Sequence, residues 1–359
     1  MSEGPAVLAQ TPVNEQGSPR RAMSLLKVRS LSCRGAGIVL AGIALGACSP
    51  LRGMSPLSTP TVSESAAERD AVRRAGQTQA PVKISATAPA ITLTAGAPDR
   101  RVMDDRPDDY AGLYQLHVVY ALFKGEKDRA RDTDGSIANS IKLANQWFMD
   151  QTGGAILRFD TYDGALDITF VQFEQTIEDA LDQYRRRAES SDQVPEDFLV
   201  SYVDSAFVHT GIYAKGKYYI VYVESDHQNL CGSSRFAAAP GVFFLGTEGC
   251  GYGRLGVDAY AWNTEFVLLH EVLHGIGFVP TCAPHNVPGN PHHVNDSDID
   301  LMYPYVKMGQ QQVLDVGHDD DYKHNMEDCP DLADSVFLEP LPPDAQVPMG
   351  WPSQYRLPE

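Results

Sequence analysis

"HEVLHGIGFVPTCAPHNVPGNPHHVNDSDIDLMYP" runs from His270 to Pro304. Its first part continues "NTEFVLLHEVLHGIG" (263–277), which is apolar on nearly every side and so reads as a buried helix. Asn263 or Thr264 is placed to cap it, with Glu265 in the first turn. On such a helix His270 and His274 lie one turn apart and share a face. Two histidines and Glu271 in a core helix are costly unless something satisfies them. A metal ion does so.

Two neutral imidazoles at this spacing chelate one Zn2+, and Glu271 beside them is placed to reach a water on the metal. Gly277 permits the left-handed turn that stops the helix and swings the chain back. Downstream, "DLMYP" (300–304) looks like the methionine turn that lies under the zinc in one clan of zinc metallopeptidases. In His270, Glu271, His274, Gly277 and Met302 the chain resembles the metzincin clan of zinc metallopeptidases, over about 35 residues. The resemblance implies an α/β (α+β) zincin fold with a twisted mixed sheet, a buried active-site helix and an irregular C-terminal subdomain. It also implies one catalytic Zn2+ with an open coordination position, and Glu271 as general base in peptide hydrolysis.

One feature departs from the clan. The third histidine is expected three residues after the glycine, where Pro280 stands. His293 follows the turn formers Pro288-Gly289-Asn290-Pro291, on chain returning toward the methionine turn. Reading Pro280–Pro291 as an inserted loop held by Cys282 makes His293 the first choice for the third ligand. His285 comes next, and His292 or Asp296 remain as further choices; Asp296 is also placed to orient a ligand ring or tie the turn. The tyrosine that some metzincins carry two residues after the methionine has no counterpart, since Pro304 lies there between Tyr303 and Tyr305.

The chain has 359 residues, 43% of them hydrophobic, enough for a sizeable core. Its formal charge of −18 excludes nucleic acid as a partner, since nothing would neutralise phosphates. Residues 1–48 read as a lipoprotein-type signal peptide: basic residues Arg20 to Arg34, then the short apolar run "GAGIVLAGIALGA" (35–47), then Cys48. "LGAC" (45–48) resembles the bacterial lipobox, whose cysteine is lipidated; an ordinary signal peptide cleaved near Ala47 is the other reading. Met23 is a second possible start. Residues 49–100, rich in Ser, Thr, Pro and Ala, read as a disordered tether, and 101–359 as the metallopeptidase domain. The expected protein is exported, attached to a membrane only through its N-terminal lipid, and monomeric.

Cys231, Cys250, Cys282 and Cys329 remain after export, an even number that allows three pairings. The sequence-local one, Cys231–Cys250 and Cys282–Cys329, is expected because each closes a loop rich in Gly, Pro or Asp. Before the metal helix, the pattern gives a strand at 114–123 and a helix at 136–154. Two strands follow around an Asp-Gly turn within 155–174, then an exposed helix from Thr176 and a strong strand at 217–225. The stretch through Cys231 and Cys250 reads as loop. His117, His209 and His227, in or near strands, read as structural. "DVGHDDDY" (315–322) reads first as a solvated acidic loop and second as a Ca2+ site, lacking the spacing of an EF-hand. Two functions remain open: an endopeptidase acting on protein or peptide substrates, and a non-catalytic envelope lipoprotein with a structural zinc. Glu271 favours the first, because a structural site has no use for it.

Overall fold

A computed structural model describes residues 96–187, 198–225, 230–246, 250–307 and 309–358. The signal peptide with Cys48, nearly all of the tether, and His227 lie outside the described residues. The fold is built on β1 (Gln115–Leu122) and β6 (Lys217–Val223), in which every residue is buried. Strands covered on both faces belong in the middle of a parallel sheet, and that is their place. The order is β5-β1-β6-β8-β7, where β5 is Ile168–Gln172, β7 is Gly232–Arg235 and β8 is Ala238–Phe244. All neighbours are parallel except β7, which runs antiparallel to β8 and forms one edge.

The two-residue period of the strands sorts their side chains into two layers. Leu116, Val118 and Tyr120 of β1, with Tyr218, Ile220 and Tyr222 of β6, face a core shared with α1 (Ser136–Thr152) and α4 (Asn263–Gly275). Val119, Ala121, Tyr219, Val221 and Val223 face the other way, onto α2 (Ile177–Arg187) and α3 (Phe198–Thr210). The result is a mixed α/β fold with a mostly parallel central sheet and helices on both faces. No helix of the described residues is long and apolar enough to cross a membrane.

Several details differ from the sequence reading. The segment 155–174 is not one long hairpin. β3 (Thr161–Tyr162) and β4 (Ala165–Leu166) do pair around Asp163-Gly164, but β2 (Ile156–Leu157) pairs with β9 (Leu338–Glu339) and β5 joins the main sheet. The supposed loop around Cys231 contains β7 and β8. Pro240 and Gly241 disguise β8, yet Gly241 is needed, because a Cβ there would sit 2.4 Å from the Tyr218 hydroxyl. Helix α3 went unread, although Phe198, Leu199, Val203 and Phe207 have helical spacing and are buried. His209 lies at the end of α3, not near a strand.

After α4 the chain is held by short bridges and side chains rather than by regular elements. Buried Arg158 donates to the carbonyls of Tyr114, Val336 and Leu338 and pairs with Glu339, fastening the C-terminal part to the start of the sheet. Both expected disulfides are present, with Cα–Cα distances of 5.4 Å for Cys231–Cys250 and 5.9 Å for Cys282–Cys329. They mark a fold made in an oxidising, exported location.

Candidate metal centre

Helix α4 is positioned before it carries any chemistry. The helix starts after Trp262, not at an Asn263 or Thr264 cap. The Glu265 carboxylate accepts from the Trp262 backbone N–H at 3.0 Å and from Ser140 Oγ of α1 at 2.5 Å. Nearly every α4 residue is buried, as the all-round apolar pattern requires. At its end Gly277 has φ 78° and donates to the carbonyls of Leu273 and His274. A Cβ there would also lie 2.8 Å from Pro348 and 2.9 Å from Ala237, so glycine is required twice over.

Gly275 packs even more closely. A Cβ on it would lie 2.0–2.2 Å from atoms of the Tyr218 ring, which itself is fully buried. Gly275→Ala must therefore push α4 off the sheet. We expect it to cost about 1–3 kcal/mol or more in denaturant unfolding, the range of overpacked cores. A fully stable, metal-replete Gly275→Ala protein would contradict this packing.

The structure brings His270, His274 and His293 together, with a ring nitrogen of each within 4.8 Å of the others. Their ring centroids are 4.7, 5.3 and 4.7 Å apart for the pairs 270–274, 270–293 and 274–293. His274 Nε2 faces His270 Nε2 at 3.1 Å. His270 Nδ1 is 2.6 Å from the Leu301 carbonyl, which can only accept, so the proton sits on Nδ1 and the Nε2 lone pair is free. His293 Nδ1 is buried without a hydrogen-bond partner. Burial lowers the proton affinity of all three rings, and His293 beside it adds to the effect on His270, which falls to about 4. The group is thus kept as neutral imidazoles, the form a metal binds. Converging neutral nitrogens and an orphaned buried one fit a bound cation.

His293 arrives on a tight turn. Val287 N–H donates to the His293 carbonyl at 2.8 Å, Asn286 bridges Val294, and Val294 N–H donates to the Met302 carbonyl at 3.0 Å. Of the other residues considered, His285 is not in the triad; its Nδ1 lies 2.9 Å from Asp320. His292 has φ 68°, stacks on Phe236 at 3.8 Å and donates to the Val279 carbonyl. Asp296 groups with His285, Asp319 and Asp320 rather than with the triad. Asp300 ties the methionine turn, accepting from the N–H groups of Met302 and Val316 at 2.8 Å each, and Met302 is fully buried.

Glu271 is held by a residue the sequence did not single out. Ser234 Oγ on β7 lies 2.9 Å from Glu271 Oε2 and 2.7 Å from the Glu271 carbonyl. A Cβ on Gly232, also on β7, would be 2.9 Å from Glu271 Cγ. Burial pushes the Glu271 carboxyl up to about 7, against the lowering effect of Ser234. No signal in a serine within a loop-like stretch marks such a role. Elsewhere, buried His117 lies between Asp160 at 2.6 Å and Thr169 at 2.9 Å, in a group of possible metal donors with Asp105, Asp160 and Asp167.

No protein-family model matches the chain, and no curated protein does. Among solved structures it overlaps with a chaperone–substrate complex (TM-score 0.24, 15% identity, 46% of this chain and 24% of that one). It also overlaps with catalytically inactive OgpA from Akkermansia muciniphila in complex with an O-glycopeptide (TM-score 0.26, 13% identity, 55% and 54%). The chain thus spans about a quarter and about half of those proteins' lengths. At such scores neither overlap bears on fold or function.

Proposed function

We propose that the protein is a zinc-dependent endopeptidase of metzincin type, exported as a lipoprotein and active as a monomer. The observation that carries this reading is the convergence of His270, His274 and His293, with Glu271 held beside them by Ser234. Zn2+ held by these three protein nitrogens would keep one position for water or substrate, as catalytic rather than closed zinc sites do. Zn2+, when bound by these histidines, supplies Lewis acidity and makes water a usable nucleophile at neutral pH.

The chain's own groups do the rest. Glu271, held beside the histidines by Ser234, would take a proton from the attacking water and hand it to the leaving nitrogen. Ser234 keeps that carboxylate on the sheet side of the helix. Among the described residues strand β7 pairs with one strand only, β8, which makes its other edge the candidate place for an extended peptide to add to the sheet. Its proximity to Glu271 favours protein or peptide substrates over small molecules.

The purified chain should contain about one zinc and cleave casein, as expected of a single three-histidine site. Dialysis against a chelator should abolish cleavage, and stoichiometric Zn2+ should restore it. Zinc without cleavage of any unfolded protein would leave a structural site instead. Export is tested separately: in a bacterial host, mass spectrometry should find a diacylglycerol on Cys48, and an unmodified Cys48 would leave a plain secreted protein.

A further inference from the structure

The turn between β7 and β8 reaches every part of the histidine site, although neither of its residues can bind a metal through a side chain. Strand β7 ends at Arg235 and β8 starts at Ala238, so Phe236 and Ala237 make the whole turn. Just before it, Ser234 bonds the Glu271 carboxylate. Ala237 N–H donates to the His274 carbonyl at 3.0 Å. The Phe236 ring lies flat on the His292 ring, with 3.8 Å between centroids and 13° between planes. One short turn thus touches both the helix that carries two histidines and the segment that carries the third.

The contact with His292 bears directly on the third ligand. His292 holds φ 68°, a left-handed backbone that a residue with a Cβ adopts only at a cost. Three contacts fix it there. Its backbone N–H donates to Asn286 Oδ1 at 3.1 Å, its Nδ1 to the Val279 carbonyl at 2.8 Å, and its ring face meets Phe236. The chain after the ligand is held by other means, through the His293 carbonyl to Val287 and through Val294 N–H to the Met302 carbonyl. His292 holds the chain before it. A ring clamped one residue ahead of His293 therefore sets the direction from which that imidazole enters the site.

We infer that Phe236 is a positioning residue for the third metal ligand. Its ring, stacked on His292, locks the His293 segment to the same turn that holds His274 and Glu271. The inference rests on reading the three histidines as a zinc site, and it holds whether or not the protein is a peptidase. Stacked rings interact through their flat faces and not through bulk alone, so an aliphatic side chain of similar size should not replace Phe236. Groups that only orient a ligand are worth about 10–100-fold in metal affinity, and a single stacked pair belongs at the low end.

The test is competition for Zn2+ between the zinc-free full chain and a chromogenic chelator, with thermal unfolding of the zinc-free samples alongside. The wild type should take up about one Zn2+. Phe236→Leu should bind it about tenfold more weakly, whereas Phe236→Tyr, which keeps the flat face, should bind as the wild type does. The zinc-free Tm of Phe236→Leu should stay close to that of the wild type. His292→Asn, whose side chain tolerates the left-handed backbone, should weaken zinc by a similar factor. The two changes combined should also cost about tenfold rather than a hundredfold, as expected of two halves of one contact. Unchanged zinc affinity in Phe236→Leu overturns the role, and so does full additivity of the two substitutions. A loss in Phe236→Tyr equal to that in Phe236→Leu overturns it as well, since the flat face would then not matter. A zinc-free Tm that falls in step with affinity would make Phe236 plain packing. Should Phe236→Leu not fold, unchanged zinc affinity in His292→Asn overturns the role on its own. A wild type that takes up no Zn2+ removes the metal centre itself, and this role with it.

Discussion

Glu271→Gln is expected to lower peptide hydrolysis by about 10²–10⁴-fold while the zinc content stays at the wild-type level. The substitution keeps the shape of the side chain and the acceptor that Ser234 Oγ bonds at 2.9 Å, so the helix and the histidines should not move. What it removes is the ability to take a proton. A structural zinc would be indifferent to the change, and this is where the two readings of the protein part. Zinc content, circular dichroism and casein cleavage measured on the same preparation decide between them. Equal cleavage by the two proteins would remove Glu271 from the chemistry. Loss of zinc in Glu271→Gln would mean that the carboxylate supports the metal site rather than the reaction.

The central strands and the histidine-bearing helix α4 were legible because their signals are local. "KYYIVYV" is a run of β-formers, and "NTEFVLLHEVLHGIG" is apolar all round, and both proved buried. The disulfide pairing was legible for a similar reason, since each bridge closes a neighbouring loop. What escaped depends on contacts across the chain. Strand β8 looks like a loop until Tyr218 is seen to demand Gly241. Ser234 gains its role only because an edge strand lies against α4. Trp262 replaces the expected caps because Glu265 reaches back to its N–H and across to Ser140. Asp321 in "DVGHDDDY" carries no spacing that distinguishes it from its neighbours. Only its burial with both oxygens unpartnered sets it apart.

His293→Ala and His285→Ala should separate cleanly, and they test the part of the site that lies furthest from the recognisable motif. His293 has its ring within 4.7 Å of His274 and 5.3 Å of His270, centroid to centroid, whereas His285 is bonded to Asp320. Removing His293 leaves two imidazoles on one helix face. Loss of a ligand should then cost more than the roughly 10–100-fold in affinity that follows loss of a group merely supporting a ligand. Zinc content after gel filtration should fall close to zero, and cleavage with it. Removing His285 should leave about one zinc per chain, as three nitrogen ligands remain, and should act only by loosening Asp320. Both variants must be compared with Cys282–Cys329 oxidised, because that bridge anchors the loop between Pro280 and Pro291. Shortening that loop should be tolerated as long as Val287 and Val294 can still set the turn that delivers His293. If His285→Ala empties the site and His293→Ala does not, the histidines meet differently in solution and the third nitrogen comes from the other end of the turn.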